Sequence, residues 1–435
     1  MKTFHGLIVF ILLIIVTTAQ NVPLQAAAAE EVVRPDGLRL IKVEPIKEEA
    51  ETVQHVTVIL KTGYVHDPAG KAGLTELTNE MVGLLIDYYT PATVSYFTAA
   101  EFSIFQCAVP TRYFKTFSVG LDEIIRLDAL MLYDLCNNLV MIHKTAAIDP
   151  GQASELAFYQ MLYGSGHPYT RHLTPNYQAL NISEVNNWFR RLYRPNNLIV
   201  VTTKDFPEEF LRKPNGRDMK GLIQTAPLPT PVIENKIDLQ FVATRGRLAT
   251  IYVGIPAPPV QGKECFTAIL FEQLLQKELW DSIREKGGYA YDLRVSYSYL
   301  EEPGNPNIKI VLETLPEDAG TVIAKILSTI QQIKLEGATV AKINPLMDKE
   351  RKILELGNQS NRQLATFKAL AVLFNTEWVA DPEAYLNGLA SVTSDDLKHF
   401  LATQSSLIKV AVSGPVTANN TLKNAVFANN GNTNR

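Results

Sequence analysis

Cysteine is scarce in this chain: Cys107, Cys136 and Cys265 are the only three in 435 residues. An odd number of thiols permits at most one bridge, which excludes a disulfide scaffold. No Cys-x-x-Cys pair or Cys/His cluster is present, so a thiolate zinc site is excluded too. All three sit in apolar surroundings and read as buried free thiols. A charge excess of one sign is also missing. The net charge is −4, with 20% charged residues, and this offers no electrostatic case for nucleic acid or an anionic membrane surface. Gly287-Gly288 lacks the Gly-x-x-x-x-Gly-Lys spacing of a phosphate loop. No Gly-x-Ser-x-Gly elbow or reactive-cysteine context occurs either. His167 and His172 have no third ligand close by in sequence and read as solvated loop histidines rather than metal ligands.

What is present begins with an N-terminal segment unlike the rest. Met1-Lys2 precedes an apolar run at 6–19, followed by Ala26-Ala27-Ala28-Ala29. A basic start, a short apolar stretch and small residues form a secretory signal. The run is short for a membrane span. Residues 1–29 are therefore expected to be a cleaved signal peptide, with the mature chain periplasmic or secreted and not inserted in a membrane. Residues 30–50 are charged and weakly periodic and read as a lead-in. The Asn- and Thr-rich residues 416–435 read as a disordered tail.

Between them, the length and 46% hydrophobic content suit two globular domains. Residues 52–61 alternate and are β-branched, which predicts a strand. Leu74, Leu77, Met81, Leu84 and Leu85 recur at helical spacing within 72–89. Two strands are expected over 93–110, one long helix over 114–139 and another over 152–162. A helix capped by Ser183 then leads to an apolar strand at 197–203. Residues 206–237 hold Pro207, Pro214, Pro227, Pro229 and Pro231 and read as a linker. The second half predicts strands at 239–255, 289–300, 307–314 and 407–413. Its helices fall at 265–283, 319–335, 340–356, 361–374 and, behind Ser394, 395–401. A capped helix followed by a closing strand thus ends each half: Ser183 leads to Leu198-Ile199-Val200-Val201, and Ser394 to Leu407-Ile408-Lys409-Val410. The expected fold is α+β. It comprises two similar domains, 51–205 and 238–415, each a mixed or antiparallel sheet with packed helices, joined by the linker.

The stretch that carries chemistry is Ser282-Ile283-Arg284-Glu285-Lys286-Gly287-Gly288-Tyr289-Ala290-Tyr291. It runs from a helix through two glycines, which release the backbone, into a strand. A guanidinium offers a fork of N–H donors and a phenol one O–H donor. Arg284 and Tyr291 across such a turn are candidates for a clamp on a peptide carbonyl or an oxyanion.

Taken together, the duplication, the linker and this stretch resemble the insulinase/pitrilysin family of zinc metallopeptidases, which includes the mitochondrial processing peptidase. Tyr163-Gly164-Ser165-Gly166-His167-Pro168-Tyr169 is similar to the family's Tyr-Gly-x-His-Pro loop. Tyr193-Arg194-Pro195-Asn196-Asn197 is similar to its Tyr-x-Pro-x-Asn lead into a closing strand, and Ile283-Arg284-Glu285-Lys286 through Ala290-Tyr291 to its Leu-Arg-Glu-Lys…Ala-Tyr segment. The resemblance runs over about 53–415. The departure is in the inverted zinc motif. Gly73-Leu74-Thr75-Glu76-Leu77-Thr78-Asn79-Glu80-Met81 lies where the family has Gly-Leu-x-His-x-x-Glu-His-Met. Glu76 and Glu80 stand for the two imidazoles, and Asn79, which cannot take a proton from water, for the carboxylate base. No acid appears at 143–147, where the third ligand would fall. Glu76 and Glu80 read instead as a solvated acidic face.

The resemblance implies that Arg284 and Tyr291 bind substrate carbonyl and oxyanion at a zinc held by another chain. The expectation is a non-metal subunit of an exported zinc endopeptidase, with no metal of its own and a zinc-bearing homologous partner in a heterodimer or larger assembly. It would be inactive alone and would act on a peptide substrate. The alternative is a non-catalytic peptide-binding or scaffold protein of the same fold, for instance a homodimer.

Overall fold

The structure is a computed structural model that describes residues 29–45, 52–126, 133–145, 152–211, 228–229, 231, 233–357 and 360–422. The signal-peptide expectation, most of the linker and the side chain of Cys136 lie outside these residues. Among the described residues, no helix is long and apolar enough to cross a membrane.

In chain order the strands of the first half are β1 (Ala29–Val33), β2 (Arg39–Val43), β3 (Val53–Leu60), β4 (Thr93–Thr98), β5 (Ser103–Pro110) and β6 (Leu198–Thr202). Its helices are α1 (Leu74–Tyr89), α2 (Phe114–Arg126), α3 (Tyr133–Thr145), α4 (Gln152–Tyr163), α5 (Ile182–Leu192) and the short α6 (Glu208–Leu211). The second half has β7 (Asp238–Ala243), β8 (Ala249–Pro256), β9 (Ala290–Tyr297), β10 (Asn307–Thr314) and β11 (Lys409–Gly414). Its helices are α7 (Glu264–Leu279), α8 (Ala319–Glu336), α9 (Val340–Gly357), α10 (Asn361–Phe374), α11 (Pro382–Ala390) and α12 (Ser394–Gln404).

The duplication is visible in the two sheets. One has the order β1-β2-β6-β3-β5-β4, the other β7-β11-β8-β10-β9. In each, the closing strand (β6 or β11) pairs parallel to one neighbour (β2 or β7) and antiparallel to the other (β3 or β8). A hairpin pair follows antiparallel, β5-β4 or β10-β9. The α+β expectation of two similar domains with mixed sheets holds.

The compact units do not follow two contiguous halves. One unit comprises Met1–Thr145, Pro175–Ala226 and Asp348–Asn387; the other comprises Ala146–Thr174, Pro227–Met347 and Gly388–Arg435. Helix α4, from the first half, therefore lies on the second sheet. Phe158 stacks near Tyr252, ring centroids 5.7 Å apart, over Gly254, where a Cβ would come within 2.3 Å of the ring. Ser154 bonds Ser413 at 3.0 Å. Conversely α10, from the second half, lies on the first sheet, with Thr366 3.2 Å from Thr57 and Phe374 edge-on to Phe102. Each sheet has two apolar-bearing faces to cover, and a helix of either half satisfies the requirement.

Several expectations are corrected here. Residues 30–50 are not merely a lead-in, since β1 and β2 form a hairpin and β2 joins the sheet beside β6. The buried guanidinium of Arg34 holds this hairpin. It donates to Asp36, to Asp122 Oδ1 at 3.0 Å and to the Phe210 carbonyl at 3.0 Å. The expected helix 114–139 is described as α2 and α3, and 127–132 between them lie outside the described residues. The caps shift by one or two residues: Asn181 caps α5 and Thr393 caps α12, each in a capping box. Residues 416–422 are helical, with Ala418 and Leu422 buried, where a disordered tail was expected. Helix α11 had no counterpart among the expected elements.

The loop between β9 and β10 carries Glu302, fully buried, which accepts bonds from Tyr159 Oη and from Asn307 Nδ2 at 3.3 Å. Burial outweighs the nearby Lys309 charge, and its carboxyl is pushed up to about 7. A raised carboxyl makes its full stability contribution below its unfolded value, roughly pH 4.3, and loses it as pH rises through about 7. Unfolding free energy is therefore expected to fall over that window. Glu302→Gln should flatten the slope, as read by urea titrations at pH 4.5 and 7.5.

Candidate functional site

The residues singled out from the sequence fall into two groups, each inside one compact unit. The first is built at the end of α7. Ten of its residues are buried, so the helix is anchored on almost every side. At Trp280–Glu285 the helix widens into a π turn, in which an amide bonds the carbonyl five residues back, as the Lys286 amide bonds the Asp281 carbonyl at 3.1 Å. Such single π turns are frequent at functional sites. Gly288 follows with φ +63°, a backbone region that suits glycine. The amides of Gly288 and Tyr289 close back on the Arg284 and Ile283 carbonyls at 3.0 Å each. The chain then enters β9.

This geometry brings Arg284 and Tyr291 together, as their spacing suggested, and adds Trp280, which had not been singled out. The Arg284 guanidinium carbon lies 4.0 Å from the Trp280 ring centroid and 5.0 Å from that of Tyr291. The indole is fixed by its Nε1–H, which donates to Glu285 Oε1 at 3.1 Å. An aromatic four residues before Arg284 on a helix was the available signal. Tyr291 is 85% exposed. Among the described residues, neither the guanidinium nor the phenol has a hydrogen-bond acceptor or an ion pair. Stacking between two π faces holds a guanidinium while leaving its N–H edge free. The result is a guanidinium held between two rings beside an exposed phenol, both with donors uncommitted among the described residues.

The second group lies on α1. Its N-terminus is capped from a distance by the Asp67 carboxylate, which accepts from the amides of Gly73 (2.8 Å), Leu74 (3.1 Å) and Thr75 (2.8 Å). Trp188 donates to Thr75 Oγ1 at 2.9 Å and fixes the first turn. Asn79, fully buried, has its amide committed. Its Nδ2 donates to Thr98 Oγ1 and Ser103 Oγ at 2.8 Å each, and its Oδ1 accepts from Tyr193 Oη at 2.6 Å. Glu80 pairs with His143 Nε2 at 2.6 Å, and Tyr177 Oη donates to Glu76 at 3.4 Å. This is not a solvated acidic face, because both carboxylates are half-buried. Burial, helped by the Glu80 charge and opposed by His143, holds Glu76 above the usual carboxylate range. The bond to Glu80 raises His143.

A zinc ion does not fit these residues. Asn79 is buried with its amide nitrogen and oxygen both engaged, Glu80 is paired with an imidazole, and no group of three His, Cys, Asp or Glu among the described residues is placed to hold a metal. His167 and His172 are also reassigned. His167 is buried, bonding the Pro229 carbonyl at 2.9 Å through Nε2 and accepting the Tyr169 amide at 3.2 Å through Nδ1. Desolvation lowers its pKa, and it serves as a neutral structural bridge. His172 lies edge-on to Tyr159 at 5.3 Å. Cys107 and Cys265 are buried free thiols, pushed up to about 12 by desolvation and so unreactive near neutral pH.

With this geometry in hand, comparison with known proteins is informative. Residues 179–348 match the family model described as the peptidase M16 inactive domain. The chain resembles the crystal structure of a protease from Helicobacter pylori, with TM-score 0.70, 14% identity, and coverage of 90% of this chain and 100% of that one. A peptidase M16 inactive domain from Pseudomonas fluorescens aligns with TM-score 0.69 and 14% identity over 89% of this chain and 98% of that one. The first half of the periplasmic protease PqqL from Escherichia coli aligns with TM-score 0.70 and 12% identity over 94% and 98%. No curated protein sequence matches.

Proposed function

We propose that this chain, which shares a matched M16 inactive domain over residues 179–348 and the fold of M16 peptidase-like structures and lacks the zinc motif, is the non-metal subunit of an exported zinc endopeptidase. It pairs with a zinc-bearing homologue and lends Arg284 and Tyr291 to that partner's site. The observation that carries this reading is the stacked, outward-facing donor pair, whose ring contacts fix Arg284 while no acceptor within the described residues satisfies it.

Each residue's part follows from its chemistry. The guanidinium holds the carbonyl of the peptide bond to be cleaved, and the phenol donates to the oxygen as negative charge develops there. Donors fixed before the reaction need no reorganisation during it. This chain supplies no metal and no general base, because Asn79 cannot accept a proton. Peptide would pair as an added strand with a sheet edge of the partner. The E. coli relative whose first half aligns is a periplasmic protease, which suits an exported chain here.

Native purification from the source periplasm, with mass spectrometry and zinc analysis, tests the reading. The expected result is a stoichiometric partner of similar size that carries His-x-x-Glu-His and the zinc. Recovery of this chain alone or only with itself would overturn the two-subunit reading in favour of a scaffold.

A further inference from the structure

The strand that carries Tyr291 is an edge strand among the described residues, where β9 pairs with β10 on one side alone. A long exposed edge is a template for an incoming strand. Arg294 lies opposite Val311 of β10. The backbone groups of its neighbours Leu293 and Val295 that do not face β10 are those between which a residue of an added parallel strand would lodge, one N–H donating and one C=O accepting. Both are already taken by one side chain. Gln276, on α7, accepts the Val295 amide through Oε1 at 2.7 Å and donates from Nε2 towards the Leu293 carbonyl at 3.4 Å.

We propose that Gln276 is an edge lock. Its primary amide occupies one donor and one acceptor position midway along β9 and so denies this stretch of the edge to an extended peptide or to another copy of the chain. Tyr291 and Arg284 then meet their target through side chains only. The first half is built differently at the matching place. The corresponding helix α1 contacts β4, but its Asn79 reaches the Thr98 and Ser103 hydroxyls rather than the strand backbone. A glutamine suits the role because it carries a donor and an acceptor on one planar group. The lock also ties β9 to α7, the helix whose π turn bears Arg284. The proposal does not depend on a partner's zinc, and its readouts need no turnover.

The test uses the full mature chain and its Gln276→Ala and Gln276→Glu variants. Amide exchange of Val295 and binding of a synthetic peptide with the sequence of residues 290–297 are measured. In Gln276→Ala, Val295 exchange should accelerate roughly tenfold, the scale set by loss of one hydrogen bond. The peptide should bind the variant and not the parent. Gln276→Glu keeps the acceptor and should keep Val295 protected, so it remains informative if the alanine variant folds poorly. Unchanged Val295 exchange in the alanine variant, loss of protection in the glutamate variant, or equal peptide binding to parent and alanine variant would each overturn the lock.

Discussion

If the proposed two-subunit enzyme forms, replacing Tyr291 by phenylalanine is expected to lower its kcat by roughly 10²–10³-fold, the usual cost of one oxyanion donor. The phenol is 85% exposed and accepts no internal bond, so its hydroxyl contributes little to the fold. Removing it should leave assembly and thermal stability unchanged. Arg284→Lys should be nearly as damaging. A lysine keeps the charge but loses the planar fork and the two ring contacts at 4.0 and 5.0 Å. Trp280→Leu should be milder than either, because both donors remain and Arg284 keeps one aromatic face while losing the nearer one. The measurement is steady-state turnover of a fluorogenic peptide by the reconstituted complex, with the assembled fraction checked by light scattering. If Tyr291→Phe turns over like the parent, the donor role fails even if the partner is real.

Arg34→Met is expected to destabilise the chain by about 3 kcal/mol, towards the lower end of the range for breaking one side of a buried ion pair. The Arg34 side chain is 0% exposed, whereas those of Asp36 and Asp122 are 13% and 21% exposed. Removing the guanidinium takes its charge-assisted bonds from two carboxylates at the edge of the core and from the Phe210 carbonyl. The residual exposure of both acids moderates the cost. Adding Asp122→Asn to the methionine variant should recover part of the loss, because one carboxylate charge that has lost its guanidinium is removed. Urea denaturation followed by fluorescence would read both effects. A loss below about 1 kcal/mol would mean that the β1-β2 hairpin is held by strand pairing alone.

Much of this architecture was legible in the sequence. Strand β10 and helix α10 lie where periodicity placed them, because alternation and 3.6-residue spacing are local consequences of one-sided burial. The pairing of Arg284 with Tyr291 was legible as well, since the two lie on either side of a short glycine turn. Residues 30–50 misled because the hairpin is short, charged and stabilised by Arg34 reaching Asp122, 88 positions away. The histidines misled for a related reason. His167 is buried by a carbonyl of the proline-rich segment, 62 residues distant, which no local pattern reports.

By itself, the sequence determined most helices and strands of each half, the duplication and the loss of the zinc-binding residue types at 76, 79 and 80, because these depend on residue chemistry and spacing along the chain. Only the tertiary structure decided which sheet each of α4 and α10 covers, how Asn79 and Glu80 are satisfied, and that Trp280 and Gln276 support the strand and turn bearing the donor pair. Those outcomes depend on which surfaces and polar groups meet across tens to hundreds of residues. A buried amide or carboxylate takes whichever partner the packing brings within hydrogen-bonding distance.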